Sequence, residues 1–123
     1  DIPFADKTFD YAVLIVTLCF VSDPVRVLKE TGRVLKAGGS LIVGIVDKES
    51  FLGKFYQSQK SLFYQKARFY SIPELTAVLE NAGFGRFAYY QTLFSFPEEI
   101  TAVERPLKGF GKGGFVVVKS VKE

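Results

Sequence analysis

The chain reads as an α/β domain, and three observations in its first forty-seven residues predict this. Tyr11-Ala-Val-Leu-Ile-Val-Thr-Leu18 is a continuous apolar run rich in β-branched residues, the pattern of a strand buried on both faces of a parallel sheet. Asp23-Pro24 opens a helix-like segment. Ser40 to Val46 is a second apolar run, entered through Gly38-Gly39. Strand, helix, glycine turn and strand make a parallel β-α-β unit, whose crossover is expected to be right-handed.

Asp23 can cap the free N–H groups of the helix, and Pro24 suits its first position. Val25, Leu28, Val34 and Leu35 place an apolar stripe at helical spacing. Lys36 is expected in the last turn, and Gly38 can take the left-handed stop. Residues 48 to 70 then mix seven aromatics with five basic residues. Phe51, Phe55 and Tyr56, followed by Leu62 and Phe63, fit an amphipathic helix, so this segment is expected to be a helical excursion after the second strand. Ser71-Ile-Pro-Glu74 is a capping box. Leu75, Val78, Leu79 and Ala82 form the buried face of the helix it starts, and Gly83 ends that helix. Phe84 to Phe94 reads as a strand. A loop with Pro97 and Pro106 precedes a final strand, Phe115-Val-Val-Val-Lys119.

Composition narrows the function. Sixteen basic and thirteen acidic residues leave a net charge of +3, too mild to imply a nucleic-acid partner. There is no histidine, which removes the commonest general base and zinc ligand. The lone Cys19 excludes an internal disulfide and suits a buried thiol in a cytoplasmic protein. No apolar run reaches the ~18 residues of a membrane span. The chain has no methionine and starts inside a patterned segment, so a single partial domain over 1–123 is expected.

The run Ile2-Pro-Phe-Ala-Asp-Lys-Thr-Phe9-Asp10, the apolar strand after it, Asp23-Pro24, Val34-Leu-Lys-Ala-Gly-Gly39 and the following strand together resemble class I S-adenosylmethionine-dependent methyltransferases. The resemblance is to the small-molecule enzymes related to quinone biosynthesis, and it extends to the helix from Ser71 to Phe84 and to the last two strands. It implies the C-terminal portion of a Rossmann-like sheet, with strands in the order 4-5-7-6 and the last strand antiparallel. The family's glycine loop and acidic ribose and adenine partners would precede Asp1. Weak or absent cofactor binding by this chain alone follows.

The resemblance places Leu14, Ile15 and Cys19, within the turn from Thr17 to Phe20, beside the methionine part of the cofactor. Relatives often carry histidine where this chain has Cys19 and Phe20. For Leu14, Ile15 and Cys19, ordinary strand core is the competing reading. Asp47 ends the second strand, where ligands sit in such sheets. It can face substrate, or be a solvated loop acid. Phe51, Phe55, Tyr56, Phe69 and Tyr70, with Phe20, can form a lid over an apolar acceptor, or simply cover the sheet.

Gly109-Phe-Gly-Lys-Gly-Gly114 has the letters G-x-G-x-x-G but precedes a strand instead of opening a helix, so it reads as a flexible turn. Methyl transfer from a sulfonium to a small molecule is the leading function. A module binding single-stranded nucleic acid through the aromatic and basic residues of 48 to 70 is the alternative. A non-catalytic partner that completes another chain is a third reading. Strand 11–18 is apolar on both faces and would lie at a sheet edge, so self-association through it is expected.

Overall fold

The computed structural model describes residues 3–59, 66–95 and 104–123. Strand β1 (Phe9–Ile15) pairs in parallel with β2 (Leu35–Val46), in a register that sets Ala12 beside Leu41 and Ile15 beside Gly44. Helix α1 (Pro24–Val34) links them. The Asp23 carboxylate accepts from the Arg26 N–H at 3.1 Å, the cap that the sequence predicts.

The helix ends earlier than its apolar stripe suggests. Leu35 is already extended, and Lys36 lies outside the last turn. Two glycines and the buried site open to Leu35 favour leaving the helix there, and Leu35 becomes fully buried. Gly38 does take a left-handed conformation (φ +78°), but within an excursion of β2. The ladder jumps from Phe9–Leu35 to Tyr11–Ser40 across it. Lys122 Nζ donates to the Leu35 carbonyl at 2.8 Å, placing a cation at the helix C-terminus.

Helix α2 (Phe51–Gln57) follows β2, capped by Ser50 Oγ accepting from the Gly53 N–H at 2.9 Å. Leu62 and Phe63, expected to continue this excursion, lie outside the described residues. Helix α3 (Ile72–Asn81) carries the full capping box between Ser71 and Glu74. It leads to β3 (Phe84–Thr92), a two-residue β4 (Leu107–Lys108) and β5 (Phe115–Lys122).

The sheet order is β1-β2-β5-β3-β4. β5 runs antiparallel to both neighbours, with Val118 beside Val43 on one side and Tyr89 on the other. This is the 4-5-7-6 arrangement with an antiparallel last strand, extended by β4. The fold is therefore the Rossmann-like α/β sheet that the sequence predicts.

One core cluster joins Leu41, Val43, Val116 and Val118 of the sheet to Leu28 of α1 and Leu75 of α3. The alternation along β1 sends Ala12 and Leu14 to that core and Tyr11, Val13 and Ile15 to the opposite face. On that face they are 66%, 57% and 48% exposed, so β1 is covered on one side only. Among the described residues no helix is long and apolar enough to cross a membrane.

Candidate functional site

The C-terminal ends of β1 and β2 lie side by side, and the chain leaves each by a different device. After β1, Val16 turns at φ +51°, a left-handed conformation that is unusual for a β-branched residue. Its N–H still donates to the Gly44 carbonyl at 2.8 Å. A short 3-10 turn, Leu18–Phe20, follows, anchored by the buried Leu18. This leaves Cys19 half-buried, not enclosed in a strand, with its thiol donating to the Val16 carbonyl at 3.5 Å.

After β2, Asp47 pairs in a parallel bridge with Tyr70, and the Lys48 N–H donates to the Tyr70 carbonyl at 2.9 Å. Two residues earlier the Arg68 N–H donates to the Cys19 carbonyl at 2.7 Å. Residues 67–70 are thereby stitched to the turn after β1 and to the end of β2 together. Between these attachments lies a cavity of about 190 Å³. Val16, Cys19 and Phe20 wall it from the β1 side, Ile45 and Val46 form its floor, and Tyr56 reaches it from α2. Ala67, Arg68, Phe69 and Tyr70 complete it, and the lining is mainly apolar.

Its polar groups are few. Burial pushes the Cys19 thiol pKa up, against the smaller lowering effect of its backbone hydrogen bond. Burial likewise pushes the Tyr70 hydroxyl up, and the Arg68 charge only partly offsets this. The Arg68 guanidinium carbon lies 4.9 Å from the Tyr70 ring centroid, a cation–π distance. Tyr70 is 1% exposed. Its Oη is buried with no hydrogen-bond partner among the described residues.

Of the residues singled out in the sequence, Cys19, Phe20, Tyr56, Phe69 and Tyr70 line this cavity together. Leu14 packs against the core, and Ile15 lies on the exposed face beside Gly44. Phe51 and Phe55 are on α2 but do not line the cavity. Asp47 is 3% exposed, so it is not a solvated loop acid. Its carboxylate accepts from the Glu49 N–H at 3.0 Å, and its carbonyl accepts from the Ser50 hydroxyl at 2.6 Å. These bonds turn the chain from β2 into α2, while burial pushes the carboxyl pKa up. Sequence reasoning missed Val16, Ala67 and Arg68 as wall residues. Only the basic character of Arg68 was visible there.

The glycine-rich segment 109–114 is a turn into β5, as its letters in that position suggest, and it is tied down. Gln91 Oε1 accepts from the N–H groups of Lys112 and Gly113, both at 2.8 Å. Lys48 pairs with Glu74 at 3.5 Å. Among the described aromatic and basic residues of 48 to 70, Tyr70 is buried and Phe51, Tyr56 and Phe69 are partly buried, while Lys54, Phe55, Lys66 and Arg68 are exposed. Among the described residues no group of three or more acids, cysteines or histidines is placed to hold a metal ion.

A family model described as a methyltransferase domain matches residues 1–43. A crystal structure from Thermotoga maritima, described as a SAM-dependent methyltransferase and possible histamine N-methyltransferase, is 49% identical with a TM-score of 0.96. The match covers all of this chain and 60% of that one. An uncharacterized protein of Methanocaldococcus jannaschii is 40% identical over 99% of this chain and 60% of its own length. The ubiquinone/menaquinone biosynthesis C-methyltransferase of Haemophilus ducreyi is 34% identical over 72% of this chain and 42% of its own length. The chain thus spans about 60% of the first of these relatives. Sheet order, strand directions and these likenesses agree: the chain has the Rossmann-like fold of the class I S-adenosylmethionine-dependent methyltransferases and is similar to members of that family over the part it spans.

Proposed function

We propose that this chain forms the acceptor-side part of a methyltransferase domain that transfers a methyl group from S-adenosylmethionine to a small apolar molecule. The observation that carries this reading is the apolar cavity at the C-terminal ends of β1 and β2, walled by Phe20, Tyr56, Phe69 and Tyr70. Ligands of open α/β sheets sit at that end of the strands. The bound cofactor supplies an electrophilic methyl group. What the chain's own residues do is exclude water and hold the acceptor in line, and such positioning supplies much of the rate in displacement reactions.

The residues fit one side of the cofactor. Ile15 and Val16 are partly exposed, and Cys19 is half-buried, so the turn after β1 offers an apolar ledge suited to an aliphatic chain. Residues 1–123 contain no glycine loop that follows a strand and opens a helix. We therefore assign the methionine side to Ile15, Val16 and Cys19, and expect this chain alone to bind the cofactor weakly.

Among the described residues that line the cavity there is no general base. Cys19 and Tyr70 both have raised pKa values and stay protonated at neutral pH, and Asp47 does not line it. The acceptor must arrive already nucleophilic, or lose its proton to a group outside the cavity. Histamine, suggested for the Thermotoga protein, carries an ammonium group at neutral pH. The described lining has no carboxylate and presents Arg68, a wall that disfavours such a cation.

Titration of S-adenosylmethionine into the 123-residue chain tests the cofactor assignment; micromolar binding would overturn it. In the full-length protein, Ala67→Trp should fill the cavity and abolish methyl transfer to apolar acceptors, leaving cofactor affinity within twofold. Undiminished transfer would move the acceptor site elsewhere.

A further inference from the structure

Gln91, on β3, is 4% exposed and is not among the residues that line the cavity. Its Oε1 accepts from the N–H groups of Lys112 and Gly113, and its Nε2 donates to the Lys108 carbonyl at 3.4 Å. One side-chain amide therefore holds both ends of the glycine-rich turn. Gly109 and Gly111 in that turn are left-handed, but Gly113 and Gly114 are not. What Gly113 and Gly114 supply is space. A Cβ on Gly113 would fall on the Thr92 carbonyl oxygen. A Cβ on Gly114 would stand 2.8 Å from Leu52 Cβ and 2.9 Å from its Cδ2.

Leu52 belongs to the first turn of α2 and is 2% exposed. Tyr56, four residues on, lies on the same face of that helix and lines the cavity. The Gly114 carbonyl also accepts from the Asp47 N–H at 2.9 Å, at the end of β2 where Tyr70 is bridged. Its own N–H donates to the Leu93 carbonyl at 2.8 Å, so the glycine cannot simply back away from α2. We infer that Gln91 and Gly114 are positioning residues for the acceptor pocket. Gln91 pins the turn, and Gly114 sets how closely Leu52 approaches β5, and so where Tyr56 stands in the wall. This rests on reading the cavity as the acceptor site. Close-packed interiors transmit such a displacement instead of absorbing it. The size of acceptor admitted is then governed in part by residues that never touch it.

Toluene and propylbenzene serve as probes, since an apolar cavity of roughly 150 Å³ takes benzene and this one holds about 190 Å³. Both are titrated by NMR against the full-length protein and four variants. In Gly114→Ala the ratio of the two dissociation constants should change about tenfold, the effect of about one methylene of misfit. Gln91→Met, which removes the acceptor oxygen, should change the ratio in the same direction, and Gln91→Glu, which keeps an acceptor, should restore it. This pair carries the test if Gly114→Ala does not fold. Val121→Ala, towards the far end of β5, should lower the melting point and leave the ratio alone. An unchanged ratio in Gly114→Ala or Gln91→Met, with both probes still perturbing the Tyr56 ring signals, would overturn the positioning role and leave the pocket. An equal change in Val121→Ala would reduce the effect to general stability, and would overturn it too. If neither probe perturbs Tyr56 in the parent, the acceptor-site reading fails and takes the inference with it.

Discussion

The main-chain N–H of Arg68 donates to the carbonyl of Cys19 at 2.7 Å, joining two segments forty-nine positions apart in sequence. This bond closes one wall of the cavity, and the side chain of Arg68 takes no part in it. Arg68→Pro removes the donor and leaves the carbonyl to water, at a cost of about 1–3 kcal/mol. Arg68→Ala keeps the bond and loses only the stacking on Tyr70, about 0.5–1 kcal/mol at an exposed site. Urea denaturation of the two variants should separate them in that order.

Asp47 gives a pH dependence of definite sign. Its carboxyl pKa is raised in the folded state because burial disfavours the charged form. Between the unfolded and folded pKa values the folded chain holds more protons than the unfolded chain. Its contribution to stability is therefore full below the unfolded value and is lost as pH rises through the folded value. Asp47→Asn keeps an acceptor for the Glu49 N–H and carries no charge. It should be more stable than the parent at pH 7, and the difference should vanish near pH 3. Denaturant midpoints across that range measure it.

Gly53 has no room for a side chain. A Cβ there would fall on the Asp47 carbonyl oxygen and within 3.1 Å of Lys48 Cα, both of them backbone. Gly53→Ala should gain about 1 kcal/mol in helix propensity and lose more through displacement of α2. A net loss of about 2 kcal/mol is expected, with Tyr56 drawn away from the cavity. Lys54→Ala, next along the same helix and exposed, should stay within about 0.5 kcal/mol of the parent. Thermal melts of the pair provide the measurement.

The outer face of β1 should drive association. Tyr11, Val13 and Ile15 form an exposed apolar row on the strand at the edge of the described sheet. Edges and faces of this kind recruit other chains. Light scattering of the 123-residue chain should show a mass that grows with concentration, and Val13→Lys should return it towards the monomer. A monodisperse monomer in the parent would end this expectation.

The β-α-β unit was legible because two apolar runs, a helix cap and a glycine pair each carry a local physical preference that the tertiary fold does not overrule. The end of α1 was harder, because Val34-Leu35 satisfies the helical stripe and the buried strand equally well. What decided it is a core position for Leu35 that only the assembled sheet creates. The density of aromatics pointed to the region of the cavity, and Tyr56, Phe69 and Tyr70 do converge there. Val16 and Ala67 were invisible, since a positive φ and a main-chain hydrogen bond placed them, and neither leaves a side-chain signature.

β5 lies between β2 and β3, which are not neighbours in the sheet. The order of synthesis is therefore not the order of assembly. On the ribosome, β2 and β3 emerge early, yet neither can complete its ladder until residues 115–122 leave the exit tunnel. Long-range strand pairing of this kind is slow and leaves unpaired edges in the interim. Synthesis that stalls before Phe115 would thus release a chain in two unjoined sheet fragments, a substrate for chaperones and proteases instead of a shortened version of the fold.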